Sequence, residues 1–177
     1  PLGANLGDYF SSTTLSASEF IPPPLSYIPD DNFENYLEAN GMGDGVALND
    51  LVLTSNINTI TDLNVFSQNI SDLTGIEDFT ALDTLSCSFN QLNSLDVSNN
   101  TALTALYCGS NPFTTLDVSN NIALTDLQCH SNQLTSIDVS NNTALQKLYC
   151  WNNQLTSIDV SQNTALTEFS CNSNQLT

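Results

Sequence analysis

The sequence predicts an α/β-type repeat solenoid that carries a parallel sheet on its concave face, with a short helical cap at its N-terminal end and otherwise mostly strand and loop. Two observations lead to this fold. The five cysteines of the 177-residue chain lie exactly 21 residues apart, and an apolar frame recurs around each of them. Self-similarity at such a period is the signature of stacked repeats. Hydrophobic residues make up 40% of the chain, which is enough for a continuous core.

Each repeat reads L-x-x-L-x-C-x-x-N-x-L. The five regular copies begin at Leu82, Leu103, Leu124, Leu145 and Leu166, and the last copy is incomplete. A degenerate copy that begins at Ile60 precedes them at a 22-residue step. Alternate residues of a strand point to opposite faces, so Leu85 and Cys87 face inward together. One repeat cannot bury that face alone, and stacking joins the strands into a parallel sheet.

The asparagine of the frame occupies the point where the chain turns away from its strand. These residues are Asn90, Asn111, Asn132, Asn153 and Asn174. A buried amide at such a corner is expected to bond backbone groups of its own coil and of the next one.

The repeated motif T-A-L-T-x-L-x-C-x-x-N-Q-L-T-S-L-D-V-S-x-N resembles a short bacterial variety of the leucine-rich repeat family. The stretch Ile-Ser-Asp-Leu-Thr-Gly-Ile at residues 70–76 is similar to internalin-like surface proteins. The resemblance covers roughly residues 46–177. It implies a non-enzymatic recognition or adhesion domain of a secreted or cell-surface bacterial protein, which binds a protein or glycan through its concave face.

The chain divides into three predicted regions. Residues 1–28 are polar and proline-containing, which is typical of an extended arm or linker. Residues 29–58 form an N-terminal cap, and residues 59–177 form the repeats.

A short helix is predicted for residues 30–41 of the cap. Asp31 and Glu34 resemble a capping box at its start, and Gly41 offers a stop. The apolar residues Phe33, Tyr36 and Leu37 share one face at helical spacing. We expect this face to cover the first coil.

Charge excludes several functions. The chain has 19 acidic residues and one basic residue, Lys147, so its net charge is −18. A nucleic-acid binder needs many basic residues, and an anionic membrane surface would repel this chain.

Catalysis is not expected, because the sole histidine, His130, has its nearest acid on the same strand, Asp126, about 13 Å away at 3.3 Å per residue.

The row of cysteines does not suit a disulfide or a zinc site. Neighbouring strands lie about 4.8 Å apart, whereas a disulfide needs Cβ atoms about 3.8 Å apart and zinc needs four converging ligands. We expect buried, reduced thiols that act as small apolar residues, and no cofactor.

A second row consists of four aspartates, Asp96, Asp117, Asp138 and Asp159. At about 4.8 Å, neighbouring carboxylates repel by about 0.9 kcal/mol in bulk water. Bonds from the following backbone N–H groups would offset this repulsion, and bound Ca²⁺ is the alternative. On repulsion alone, low pH is expected to relieve the row.

The candidate binding site lies on the outward strand positions of neighbouring coils. It consists of Tyr107, Gln128, His130, Lys147, Tyr149 and Trp151. Tyrosine and tryptophan with a polar rim are typical of interaction hot spots, and their faces also suit a sugar. The alternative is that the aromatic residues only cover the sheet, while Lys147 pairs with Asp126 and Glu168.

A second functional class stays open. The chain ends within a repeat, and together with the arm of residues 1–28 this suggests a structural subunit that self-assembles outside the cell.

Overall fold

A computed structural model describes residues 22–177 of the chain. Most of the predicted arm, residues 1–21, lies outside the described residues. The strands are β1 (Leu25–Tyr27), β2 (Leu51–Leu53), β3 (Asp62–Asn64), β4 (Thr84–Ser86), β5 (Ala105–Tyr107), β6 (Asp126–Gln128), β7 (Lys147–Tyr149) and β8 (Glu168–Ser170). The helices are α1 (Asp31–Ala39), α2 (Thr54–Ile57) and a 3₁₀ turn at Ile76–Asp78.

The predicted solenoid is confirmed. Strands β3 to β8 form a parallel sheet in sequence order, and every pairing is in register. The central position of each strand therefore stacks on its equivalent, as Leu106 does on Leu127. Both side chains are fully buried, because the alternation of the strand turns them into the coil.

From β4 onward the cysteines fill the second inward position of each coil. Cys87, Cys108, Cys129 and Cys150 are fully buried, as expected, whereas Cys171 of the last coil is only partly buried, because no coil of the described chain covers it. Burial raises the pKa of Cys87 to about 12 and that of Cys129 well above its ordinary value, because the thiolate would lose its hydration. These side chains are thus protonated thiols packed in the core.

The cap contains more of the chain than the sequence analysis assigned to it. Leu25–Tyr27, placed in the arm by that analysis, is strand β1, which pairs antiparallel with β2. Ile28 follows it and is fully buried. Three residues are too few for a clear alternation signal, and the pairing partner lies 26 residues further along the chain.

Helix α1 has the predicted apolar face, since Phe33 and Leu37 are fully buried and Tyr36 packs partly against the core. It ends as expected, with Gly41 in the left-handed region at φ +73°. Helix α1 begins at Asp31, but the predicted capping residue is wrong by one position, because Asp30 and not Asp31 is the N-cap.

Asp30 joins the cap to the first coil. One carboxylate oxygen accepts from the N–H groups of Asn32 and Phe33, both at 3.0 Å. The other accepts from the N–H and the hydroxyl of Ser71, at 2.8 and 2.7 Å. Burial by itself would raise the pKa of Asp30, but the hydrogen bonds from Ser71 and Phe33 hold it below its ordinary value. Because Asp30 is the N-cap residue, the same side chain caps helix α1 and holds the N-terminal cap region against the first coil.

Glu34 does not close the predicted capping box. Its carboxylate accepts from the N–H groups of Asn49, at 2.9 Å, and Asp50, at 3.2 Å. The fully buried side chain thus holds the loop that leads into β2 instead of the helix terminus.

The asparagines of the frame form what we call the strand-side row: Asn90, Asn111, Asn132, Asn153 and Asn174. Asn132 donates to the carbonyls of Cys129, at 3.0 Å, and Cys108, at 3.2 Å. Its oxygen accepts from the N–H of Phe113 at 3.3 Å. The predicted bonding is confirmed for the residue's own coil. The second coil is the preceding one and not the next, because the side chain leans back toward the cap.

A second asparagine row, which the sequence analysis missed, lies on the opposite wall. This return-side row consists of Asn100, Asn121, Asn142 and Asn163, all buried. Asn142 donates to the carbonyls of Val118 at 3.0 Å and Asn121 at 2.9 Å. Within residues 22–177, the side-chain oxygen of each of the four has no hydrogen-bond partner. The signal was present in the sequence as an asparagine that recurs with the same 21-residue step.

Candidate functional site

The outward positions of the sheet form three columns across the coils. The first column contains Lys147 and the second contains Tyr107, Gln128 and Tyr149, on strands β5, β6 and β7. His130 and Trp151 follow β6 and β7 by two residues and make up the third column. The registered strands therefore bring all six predicted site residues to one face, on three adjacent coils.

Asp126 organises the N-terminal half of this group. Its carboxylate accepts from the Tyr107 hydroxyl at 3.4 Å and from Gln128 Nε2 at 3.2 Å. Burial, together with the Asp126 charge, raises the pKa of Tyr107. The phenol is therefore a stable hydrogen-bond donor at neutral pH.

Glu168 organises the C-terminal half. Its Oε1 lies 2.9 Å from Lys147 Nζ, and its Oε2 accepts from the Tyr149 hydroxyl. The hydrogen bond with Glu168 raises the pKa of Lys147, and the charge of Glu168 adds to this. The predicted pairing of Lys147 is thus confirmed for Glu168. The structure shows no ion pair between Lys147 and Asp126.

His130 and Trp151 stack face to face. Their ring centroids are 4.3 Å apart and the planes differ by 2°. The imidazole leans over Gly109, where an added Cβ would come within 2.6 Å of His130 Cε1. Desolvation lowers the pKa of His130, which favours the neutral form of the ring. The absence of a side chain at Gly109 makes room for this stack.

Two further exposed aromatic residues were missed by the sequence analysis. Phe66 and Phe89 are 48% and 55% exposed, with ring centroids 5.1 Å apart. Phe89 has φ +58°, a left-handed conformation that is strained for a bulky residue. The available signal for Phe89 was phenylalanine at a position where the later copies have serine or asparagine.

The four aspartates of the acidic row each close an Asx turn, as the first of the two interpretations predicted. In each, one carboxylate oxygen accepts from the backbone N–H two residues later, at 2.9 Å for Asp96 and Ser98 and at 2.8 Å for Asp159 and Ser161. The same contacts hold Asp117 and Asp138.

The expected effect of low pH on this row is wrong in sign. The serine two residues later donates hydrogen bonds that hold the pKa of the Asp96 and Asp138 carboxyls below the ordinary value. The largest effect comes from the side chain of Ser98 for Asp96 and from the backbone of Ser140 for Asp138. Repulsion from the neighbouring aspartates raises the pKa of Asp138, but it is the weaker effect. Protonation therefore removes favourable contacts.

A group of carboxylates in the cap has the spacing of a cation site. Oxygen atoms of Asp31, Glu34 and Asp50 lie within 4.8 Å of one another. Glu34 already accepts two backbone N–H groups there, so its charge has partners in the loop. The group is accounted for as a structural part of the cap.

Nothing in this geometry forms a catalytic triad. The Nδ1 atom of His130 lies 3.4 Å from the Ser131 hydroxyl. Over residues 22–177, no carboxylate is hydrogen-bonded to the imidazole to orient it as a base. In the same part of the chain, none of the helices has the length and hydropathy needed to cross a membrane.

The family model for leucine-rich repeats, in two copies, matches residues 143–177. Internalin J of Listeria monocytogenes serotype 4b is 44% identical over 88 residues, half of this chain and 9% of that protein. This chain therefore spans about a tenth of the length of that curated relative.

Two solved structures from Listeria monocytogenes share the fold. The functional domain of InlJ, which includes a cysteine ladder, is 40% identical with a TM-score of 0.80, over 89% of this chain and 35% of that one. The internalin InlF is 24% identical with a TM-score of 0.77, over 85% of this chain and 45% of that one. Its repeats, its registered sheet and these matches show a leucine-rich repeat fold that is similar to that of the internalins.

Proposed function

We propose that this chain is a recognition domain that binds a protein or glycan partner through its concave face. The single observation that carries the proposal is the contrast between the two sides of the sheet. The inward positions repeat leucine and cysteine, whereas the outward columns change from coil to coil. Packing constrains the inward side only, so the variation supports a surface shaped for a partner.

The physical character of the candidate site supports recognition over catalysis. The hydroxyls of Tyr107 and Tyr149 donate to Asp126 and Glu168, and these hydrogen bonds fix the rings in the free protein. Little conformational entropy is then lost when a partner binds. Trp151 is held by its stack on the imidazole. Rigid, partly exposed aromatic residues with polar neighbours are the usual anchors of an interface.

The likeness to internalins supports a bacterial protein that is secreted or displayed at the cell surface, where adhesion to a partner is the corresponding role. Self-assembly through residues 1–28 and the last coil stays a prediction. Most of that arm lies outside the described residues, so no contact of the arm supports it.

The test is a binding screen against immobilised extracellular proteins and glycans, run in parallel with the wild type and with Tyr149→Ala/Trp151→Ala. We expect the double variant to lose at least tenfold in affinity for the ligand that the wild type selects. Its thermal midpoint should change little, because both side chains are outside the core.

Ile122→Ala is the matched control, since Ile122 is 64% exposed and lies on the return segment, away from the sheet. It should bind like the wild type. If the double variant keeps full affinity for the selected ligand, the concave site is refuted.

A further inference from the structure

We propose that the concave face takes an extended polypeptide segment that carries basic side chains on one side and apolar side chains on the other. The proposal rests on the proposed function and names the chemistry of its partner. The segment would cross the coils over the second column, between an aromatic edge and an acidic lane.

The aromatic edge consists of Phe66, Phe89, His130 and Trp151. These four residues follow the C-terminal ends of strands β3, β4, β6 and β7. They form two pairs, with ring centroids 5.1 Å apart in the first and 4.3 Å in the second. Together they place aromatic surface along one border of the sheet, on four of the five coils from β3 to β7.

Two features indicate that this edge is specified and does not arise by chance. Phe89 keeps φ +58° at a position where the other coils have serine or asparagine, namely Ser67, Ser110, Ser131, Asn152 and Ser173. A left-handed conformation costs a non-glycine residue roughly 1–2 kcal/mol, yet a half-exposed ring is retained there. At Gly109, the missing side chain is what allows the imidazole to lean across.

The acidic lane lies on the other side of the second column. Its carboxylates are Asp62, Asp126 and Glu168, all at the first position of a strand. Lys147 is the one basic residue of the chain, and it is already paired with Glu168. With a net charge of −18, the protein has no further cation for this lane. A partner would therefore have to bring the positive charge.

The spacing fits an extended polypeptide. The first and third columns are four residues apart, which is about 13 Å at 3.3 Å per residue. A bound strand that lies over the second column directs alternate side chains to opposite sides. Its side chains on either side then span about half of the 13 Å to reach the first or the third column. Arginine suits the acidic side, because it pairs with carboxylates and also stacks on tyrosine.

The probe is a synthetic octapeptide of alternating arginine and leucine, with the binding constant measured by calorimetry. Phe89→Asn is the first variant, because asparagine tolerates a left-handed backbone and already occupies this position as Asn152. We expect at least fivefold weaker binding with an unchanged or higher thermal midpoint. Loss of affinity without loss of stability separates a binding role from a packing role.

The second variant, Asp126→Asn/Glu168→Gln, removes two charges from the lane. We expect at least tenfold weaker binding and a smaller dependence of affinity on salt, because fewer ionic contacts remain to be screened. The matched control, Asp96→Asn/Asp138→Asn, removes the same charge from the acidic row of the return segment. It should bind the peptide as the wild type does.

Three results would overturn the inference. The control could weaken binding as much as the lane variant, which would mean attraction to net charge alone. A peptide of alternating glutamate and leucine could bind equally well, or the arginine–leucine peptide could fail to bind at all. If a neutral oligosaccharide from the screen is then lost in Tyr149→Ala/Trp151→Ala, the recognition function stands and only the partner class is wrong.

Discussion

The two asparagine rows occupy two corners of the same coils, yet they bond differently. The oxygen of Asn132 accepts two backbone N–H groups and its amide donates to carbonyls. The amide of Asn142 donates to two carbonyls, and its oxygen has no partner. The side-chain oxygens of the strand-side row therefore accept from backbone N–H groups that have no other acceptor. The amides of the return-side row instead donate a second hydrogen bond to carbonyls that already accept one from a backbone N–H group.

The first coil sharpens this contrast. Phe79 is fully buried at the position of the return-side row and stacks on Phe33 of the cap helix, with ring centroids 6.2 Å apart. An apolar residue is suitable there because this corner packs against the cap helix, whereas a later corner such as Asn142 bonds carbonyls of the preceding coil. Asparagine at this corner is thus required by the neighbouring coil and not by the turn itself.

The largest expected effect is that of Asn132→Ala. The substitution leaves the buried N–H groups of Asn111 and Phe113 without an acceptor. At roughly 1–3 kcal/mol for each unsatisfied group, we expect the free energy of unfolding to fall by about 4 kcal/mol. Denaturant titration measures it. A loss below 1 kcal/mol would show that water replaces the amide without cost.

The matched substitution in the other row, Asn142→Ala, should cost about 1.5 kcal/mol. The carbonyls of Val118 and Asn121 each keep a backbone partner, from Asn121 and Leu124 respectively. The unpartnered oxygen is also removed, which offsets part of the loss. The same titration applies, and a cost equal to that of Asn132→Ala would remove the distinction between the rows.

The rate at which the buried cysteines are alkylated measures how much each asparagine row contributes to keeping the coils folded. In the wild type, Cys108 and Cys129 should react with an alkylating reagent only on unfolding, because burial raises the pKa of both thiols and excludes the reagent. In Asn132→Ala we expect labelling several hundredfold faster, read residue by residue by mass spectrometry, because a loss of about 4 kcal/mol raises the unfolded population by roughly that factor. In Asn142→Ala we expect labelling only about tenfold faster, as a loss of about 1.5 kcal/mol implies. Equal acceleration in both variants would contradict the distinction between the rows.

The smallest expected effect belongs to the acidic row, which titrates while the asparagine rows do not. Its folded-state pKa values lie below the ordinary value, so its contribution is present above about pH 4 and is lost as the pH falls through the folded-state values. Replacing all four aspartates by asparagine should keep the turns and reduce the acid-induced fall of the thermal midpoint. A midpoint that rises on acidification of the wild type would contradict this sign.

The same row gives a metal test. The hydrogen bonds of the four turns already offset the repulsion between the carboxylates, so the fold does not need a bound cation to do so. Millimolar Ca²⁺ should therefore leave the thermal midpoint unchanged, with chelator-treated protein as the control. A clear rise that the asparagine variant lacks would revive the calcium interpretation.

Much of the repeat array was predictable because the same pattern of inward and outward side chains recurs in every coil. The alternation around Leu106 and Cys108 fixes the inward face, and a period of 21 residues fixes the register of strands β4 to β8. The columns of the candidate site follow from these two facts. The position of Asp30 as the N-cap did not follow, because either of two adjacent aspartates could cap the helix locally. Its bonds to Ser71 decide between them.

The aromatic edge shows where prediction from the sequence stopped. Phe66 and Phe89 lie at positions whose direction depends on the backbone just beyond the strand, where the alternation of side chains no longer holds. The left-handed turn at Phe89 sets its ring beside Phe66, and Gly109 leaves room for the imidazole on which Trp151 stacks. Spacing alone places His130 beside Trp151, but it gives neither the stacking of these two rings nor the contact between Phe66 and Phe89.

By itself the sequence determined the stacked coils, the parallel sheet, the buried thiols and the face that carries Tyr149 and Trp151, because each follows from a periodic pattern of side-chain burial. The tertiary structure alone decided the docking of the cap, the hydrogen bonds of the two asparagine rows and the pairing of the exposed aromatic rings. These depend on contacts between coils. A one-dimensional pattern fixes which residues become neighbours, but only the folded backbone fixes which of their atoms meet.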